Sequence, residues 1–241
     1  MILSSLLTLG VLNSKAAQLT PVLTYHDVIP FRDSKSLWFD CTLAEFKDQI
    51  AFFRKKRAVF ISIEHLRLGL EGRRSIPPNA VCLTFADNYF GFYKYAWPIL
   101  KKEKIPVAQF VHTDFVGSAI GRPKMNWKQL IELDRSSLVT FASQTCSHPG
   151  DLTQLSDDQL NHELVDSKRV LEQKLGHQVS AIAYPNGKYD LRVAKAASKA
   201  GYKIGFTEVT RPAQRKPDMF RVPRYVHTKY LRAWRDCFGK S

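Results

Sequence analysis

The sequence predicts an α/β domain whose parallel sheet curls into a barrel-like arrangement of about seven βα units. Three observations predict it. Short apolar runs of strand length alternate with stretches of helical periodicity along the chain. Several of the helical stretches carry their own start and stop residues. The unusual polar residues sit just after the apolar runs, where a barrel of parallel strands places its site.

Taken in order, Val22-Leu23-Thr24-Tyr25 reads as the first strand. Thr42 opens a helix with Glu45 in the reciprocal position, a capping box that satisfies two otherwise orphan N–H groups. Leu43, Phe46, Ile50 and Phe53 form its apolar face, and it runs to about Arg57. Val59-Phe60-Ile61 is a strand, and Ser62 caps a short helix through Leu70. Pro77-Pro78 breaks the chain before Val81-Cys82-Leu83-Thr84-Phe85, whose unbroken apolar character marks a strand covered on both faces. A helix follows from about Phe90 to Lys102, then a strand from Pro106 to Val111. Trp127 to Leu133 is helical and Leu138 to Ala142 is a strand. Ser156 with Gln159 forms a second capping box, opening a long amphipathic helix to Leu175 that Gly176 ends. Val179 to Tyr184 is a strand, Asp190 to Ala200 a helix stopped by Gly201, and Lys203 to Thr207 the last clear strand.

Length and composition suit one domain, with 241 residues of which 44% are hydrophobic and 12% aromatic, so a disordered chain is excluded. No apolar run is long enough for a transmembrane segment. The apolar run Ile2 to Leu12, followed by Lys15-Ala16-Ala17-Gln18, reads as a signal peptide over residues 1–17. The domain then spans 18–241, and the protein is expected to be exported to the periplasm, the cell surface or the medium. Cys41, Cys82, Cys146 and Cys237 show no CxxC spacing, which excludes a disulfide scaffold and a zinc–cysteine site of the CxxC kind and leaves one bridge open. The net charge of +14 favours anionic partners. Its basic residues are dispersed, in small clusters such as Arg54-Lys55-Lys56-Arg57 and Lys101-Lys102, with no nucleic-acid-binding signature. Solvated helix faces or attraction to an anionic cell-envelope surface account for them better than nucleic acid.

Four loops after strands hold the residues that carry chemistry: Tyr25-His26-Asp27, Thr84-Phe85-Ala86-Asp87-Asn88, Ser143-Gln144-Thr145-Cys146-Ser147-His148-Pro149 and Tyr184-Pro185-Asn186-Gly187. A carboxylate and imidazoles from separate strand ends can converge on a metal. In their order and spacing these segments resemble the polysaccharide deacetylase family (carbohydrate esterase family four, the NodB-homology domain). They are most similar to the branch that deacetylates poly-β-1,6-N-acetylglucosamine in biofilms. Tyr25-His26-Asp27-Val28 resembles that branch's YHDV. Leu83-Thr84-Phe85-Ala86-Asp87-Asn88-Tyr89 stands where the family has LTFDDGY, and Tyr95-Ala96-Trp97-Pro98-Ile99-Leu100 continues it. Ser143 to Pro149 stands where the family has SHTxxHP, and Ala183 to Tyr189 resembles YPYGxY.

The resemblance implies a distorted (β/α)7-type barrel and metal-dependent de-N-acetylation of an N-acetylglucosamine-containing polysaccharide. It implies a divalent metal (Zn²⁺, with Co²⁺ or Ni²⁺ as alternatives) on Asp87, the position of Gln144, and His148. That metal would acidify a water and polarise the acetamide carbonyl. Two departures weaken the implied reaction. The position of the base is Ala86, which accepts no proton, and one metal histidine is Gln144, whose neutral amide oxygen is a poorer ligand than imidazole. The usual glycine is Asn88, and the second tyrosine of YPYG is Asn186. His26, Asp27 and His227 are the candidate surrogate bases. Tyr25, Tyr89, Trp127, Tyr184, Pro185 and Asn186, with Trp38, are the candidates to hold sugar. Loss of a general base alone costs roughly 10²–10⁴-fold in rate. The expectation is therefore an impaired or inactive deacetylase, the alternative being a non-catalytic polysaccharide-binding relative.

Overall fold

The structure, a computed structural model, describes residues 19–214 and 218–239. The expected leader over 1–17 lies outside the described residues. In chain order the elements are β1 (Val22–Tyr25), β2 (Val28–Ile29), β3 (Cys41–Thr42), α1 (Leu43–Lys55), β4 (Val59–Phe60), α2 (Ile63–Leu70), β5 (Ala80–Phe85), α3 (Trp97–Lys102) and β6 (Val107–Val111). There follow α4 (Trp127–Asp134), β7 (Val139–Ser143), α5 (Asp157–Asn161), α6 (Ser167–Leu175), β8 (Ala181–Ala183), α7 (Leu191–Lys199), β9 (Ile204–Phe206), β10 (Tyr225–Val226) and α8 (Tyr230–Phe238).

The main sheet is parallel and runs β10-β1-β5-β6-β7-β8-β9, with β4 paired to the start of β5. A parallel bridge between Phe206 and Val222 ties the segment entering β10 to β9, so the sheet curls back on itself. Alternate residues of a strand face opposite sides, and the core divides accordingly. Leu83 and Phe85 join Leu23, Tyr25, Val107 and Phe141 beneath the helices. Ala80 and Cys82 join Val22, Ala108, Ala142, Ala181, Ala183 and Phe206 inside the curl. The alanines keep that interior narrow, and Ile63, Leu66 and Leu70 of α2 complete it. Arg224 is fully buried there, with Nε on the Thr207 carbonyl at 3.0 Å and the guanidinium 5.1 Å from the Phe110 ring.

The capping boxes at Thr42–Glu45 and Ser156–Gln159 form as the sequence predicts, and Asn126–Gln129 makes a third at the start of α4. Two expected helices are not regular. The Phe90–Lys102 stretch begins with a π-helical turn at Phe92–Ala96, and the Ser156–Leu175 stretch is interrupted by one at His162–Asp166. Such turns add a residue without breaking the apolar face, so periodicity alone does not reveal them. All four cysteines are free, so the bridge left open is not formed. Among the described residues no helix is long and apolar enough to cross a membrane. Gly91 sits where a Cβ would collide with the Asp27 carboxylate and the Val28 carbonyl, so its missing side chain lets the loop after β5 press against the loop after β1.

Candidate active site

The loops after β1, β5, β6, β7, β8 and β9 meet around one open cavity of about 410 Å³. Its wall includes His26, Asp87, His112, Gln144, His148 and Glu208, and its rim includes Trp38, Phe39, Tyr89 and Phe115. The backbone that delivers these groups is bent into the left-handed region at Asp87 (φ 65°), Asn88 (40°), Thr145 (71°), His148 (55°) and Asn186 (53°). Each such residue costs on the order of 1–3 kcal/mol unless its side chain tolerates the conformation, as Asn and Asp do best. Asn88 therefore supplies locally what glycine supplies in the motif it resembles.

The centre of the site is a closed hydrogen-bond set on Gln144, which is 3% exposed. The Asp87 N–H donates to Gln144 Oε1 at 2.8 Å. Gln144 Nε2 donates to Asp87 Oδ1 at 2.7 Å and faces His148 Nε2 at 3.1 Å. The reversed amide would set its oxygen against a carboxylate and its N–H against another N–H, so the bonding fixes its orientation. A divalent cation needs the lone pairs of Asp87 and His148 aimed at one point. Here a hydrogen-bearing nitrogen holds that point, and Oε1 is turned to the backbone. The donor set does not fit the divalent metal that the resemblance implies.

Charge at the floor is tuned by burial. Burial raises the Asp87 carboxyl, but His26, His148, His112 and Lys124 together carry it below its ordinary value. Burial lowers His26, against the opposing pull of Asp87 and Glu208. It lowers His112 to about 4, helped by Lys124. Lys124 itself is pushed down to about 8 by burial, although Asp87 and Asp27 pull it back. At neutral pH the floor thus carries an ionised Asp87 flanked by neutral His26 and His112. The backbone carbonyl of Asp87 accepts from Lys124 Nζ at 2.9 Å and lies 3.1 Å from His112 Nε2.

The sequence-derived candidates separate clearly. Asp87, Gln144, His148, His26, Tyr89, Asn186 and Trp38 all reach the cavity. Ala86 is fully buried, with its N–H on the Tyr25 carbonyl at 2.8 Å, and offers nothing to accept a proton. Asp27, a candidate surrogate base, stands apart from the cavity wall: it is 8% exposed and paired with Arg122 at 3.3 Å. Burial lifts its carboxyl to about 6 even against Arg122. His227, the other candidate base off the cavity wall, is 1% exposed and stacked on Tyr25 at 5.3 Å in the core. Tyr25 and Tyr184 are fully buried, Tyr25 with its hydroxyl on Gln49 and Tyr184 stacked on Tyr189, so neither presents a face to sugar. Pro185 is buried beneath the Asn186 turn. Trp127 lies on α4 under Lys174 of α6, away from the cavity. An aromatic residue beside a motif is as useful to the core as to a ligand, and sequence does not separate the two uses.

Five cavity residues escaped the sequence reading, among them Phe115 in the turn that follows β6. His112 and Glu208 follow β6 and β9 closely, so the rule of looking after strand ends would have found them. Phe39 and Lys124 lie on long connections with no periodic signal; Lys124 packs over the Tyr89 ring at 3.4 Å.

Comparison with known proteins agrees with this geometry. Residues 73–205 match the profile described as "Polysaccharide deacetylase". A poly-β-1,6-N-acetyl-D-glucosamine N-deacetylase of Staphylococcus epidermidis is 27% identical over 197 residues, covering 78% of this chain and 68% of the relative. The Streptococcus pyogenes deacetylase PplD, solved with acetate, superposes with TM-score 0.82 at 26% identity over 90% of this chain and 99% of that one. IcaB of Ammonifex degensii gives 0.78 at 26% identity over 89% and 94%. With its curled parallel sheet, its site at the strand ends and this match over more than half its length, the chain belongs to the polysaccharide deacetylase family.

Proposed function

We propose that this chain is a polysaccharide-binding member of the family whose metal-dependent deacetylation is impaired or absent. One observation carries the reading: the Gln144 amide stands between Asp87 and His148 and donates a hydrogen where the family places a cation. Ala86 adds to it, because no carboxylate takes the position of the base. The ligand class is an N-acetylglucosamine polymer, of the kind named for the staphylococcal relative. The aromatic rim of Trp38, Phe39, Tyr89 and Phe115 suits sugar faces, and the polar floor suits their hydroxyl and acetamide groups.

The test is one preparation assayed twice with β-1,6-linked N-acetylglucosamine oligomers: acetate release with added Zn²⁺ or Co²⁺, and binding by calorimetry. Binding without acetate release supports the proposal, and turnover at a rate typical of metal hydrolases overturns it. A second reading, slow residual hydrolysis, is favoured by His26 Nε2 facing Glu208 at 3.8 Å on the cavity wall. In that case His26→Gln removes the residual acetate release. The proposal includes export with residues 1–17 as a cleaved leader, and association of the basic surface with an anionic cell envelope. N-terminal sequencing of secreted protein tests the first; salt-sensitive sedimentation with envelope fragments tests the second.

A further inference from the structure

A second group of ligand-type side chains lies outside the cavity. Cys41 Sγ, a Glu45 carboxylate oxygen and a His227 ring nitrogen all fall within 4.8 Å of one another. None of the three lines the cavity. They come from separate parts of the chain: the start of β3, the first turn of α1, and the residue after β10. We propose that Cys41, Glu45 and His227 form a binding site for a zinc-type divalent ion.

The donor set is that of a borderline metal, with one thiolate, one imidazole and one carboxylate, leaving a fourth tetrahedral position for water. Around such an ion the donor atoms stand roughly 3.6 Å apart, so a small inward movement closes the site. His227 is the second observation. It is 1% exposed, and neither ring nitrogen makes a well-formed hydrogen bond. A buried imidazole left so costs about 1–3 kcal/mol, which a metal bond would offset. The Asp40 backbone lies beside the ring and can orient it. Glu45 is already half committed: one carboxylate oxygen caps the Thr42 N–H at 2.7 Å. Both oxygens also accept from the half-exposed Arg32, at 3.1 and 3.0 Å, the group an ion would displace.

Burial, with Glu45 beside it, raises the Cys41 thiol well above its ordinary value, so the thiol is protonated without an ion. Binding therefore replaces the S–H bond by an S–metal bond and releases one proton to solvent. Burial lowers His227 to about 4, so its imidazole is neutral and ready to ligate near pH 7. The bound ion would pin the segment after β10 to the start of α1. It would also hold His227 against Tyr25, which stacks on Phe85 at the end of β5.

The test is Co²⁺ titration of the full chain without a histidine tag, read by absorption. The expected result is a thiolate-to-cobalt charge-transfer band that Zn²⁺ abolishes by displacement. The band is lost in Cys41→Ser and kept in Cys237→Ser and in Asp87→Asn. His227→Gln and Glu45→Gln each weaken binding by roughly tenfold or more. If Cys41→Ser fails to fold, alkylation of the unsubstituted protein replaces that arm: Zn²⁺ slows labelling of Cys41 and leaves Cys237 unchanged. The proposal is overturned by any of three results: no thiolate band at millimolar Co²⁺, a band that survives Cys41→Ser, or a band lost in Asp87→Asn.

Discussion

Replacing Gln144 by leucine separates the two roles that this side chain can have. If the amide is a hydrogen-bonded bridge, Gln144→Leu removes three bonds at once. The bond from the Asp87 N–H is worth about 1 kcal/mol, the bond to the ionised Asp87 carboxylate about 2, and the contact with His148 about 1. Burial of the new apolar atoms returns about 1 kcal/mol. The expected loss is then about 3 kcal/mol, or roughly 6–12 °C in melting temperature for a chain of this size. Urea unfolding gives the free energy and calorimetry the melting temperature. Both are best done in a Cys41→Ser background, so that an ion at the second site does not contribute. A loss below about 1 kcal/mol would refute the bridge. So would a Zn²⁺-dependent stabilisation of the Cys41→Ser protein that disappears with Gln144→Leu, because the amide oxygen would then be a metal ligand.

Further outcomes follow from the same geometry. Ala86→Asp combined with Gln144→His is expected to create Zn²⁺ binding at Asp87 and His148 and measurable acetate release, whereas Ala86→Asp alone releases none. Tight Zn²⁺ binding without release would transfer the defect to the groove and Asn186. His112 is held at about 4 in the fold against an ordinary 6.5, so the stability it supplies is complete above pH 6.5 and is lost as pH falls towards 4. The loss reaches at most about 3 kcal/mol. Asp27, raised to about 6, acts in the opposite sense over the same range, so the quantity to measure is the difference between His112→Asn and the unsubstituted protein across pH 4–7. An identical pH dependence in the two would show that His112 is not held neutral. Trp38, 68% exposed on the rim, is expected to contribute about 1.4 kcal/mol of stacking, so Trp38→Ala should weaken oligosaccharide binding about tenfold while leaving the melting temperature unchanged. Gly91→Ala is expected to destabilise by more than 2 kcal/mol, because its Cβ meets the Asp27 carboxylate and the Val28 carbonyl; a neutral effect in urea unfolding would contradict that close approach.

Much of this architecture is local. The alternation of apolar runs with capped helices specifies parallel βα units, because the apolar pattern of a strand and the Thr42–Glu45 and Ser156–Gln159 caps are written in neighbouring residues of the chain. The polar residues after strand ends, Asp87, Gln144, His148 and His26, are legible for the same reason. Ala86 and Gln144 are equally legible, because they stand at fixed places in motifs whose other residues are present.

Other features depended on long-range contacts. That Tyr25, Tyr184 and Trp127 serve the core while Trp38 and Phe39 face the cavity depends on which side of a strand or helix the rest of the chain covers. Asp27 is drawn away from the cavity wall into an ion pair because Arg122, far along the chain, reaches it. His227 likewise looks like a reacting group in the sequence and is placed beside Cys41 and Glu45 by the return of β10 to β1. The orientation of the Gln144 amide is set by the left-handed turn at Asp87, which points an N–H at it from another strand. The sequence by itself determined the fold class and the family of the site, because those rest on spacing and side-chain type. Only the tertiary structure decided where each site residue stands and what it touches, because hydrogen-bond direction and burial belong to contacts between strand ends that are distant in the chain.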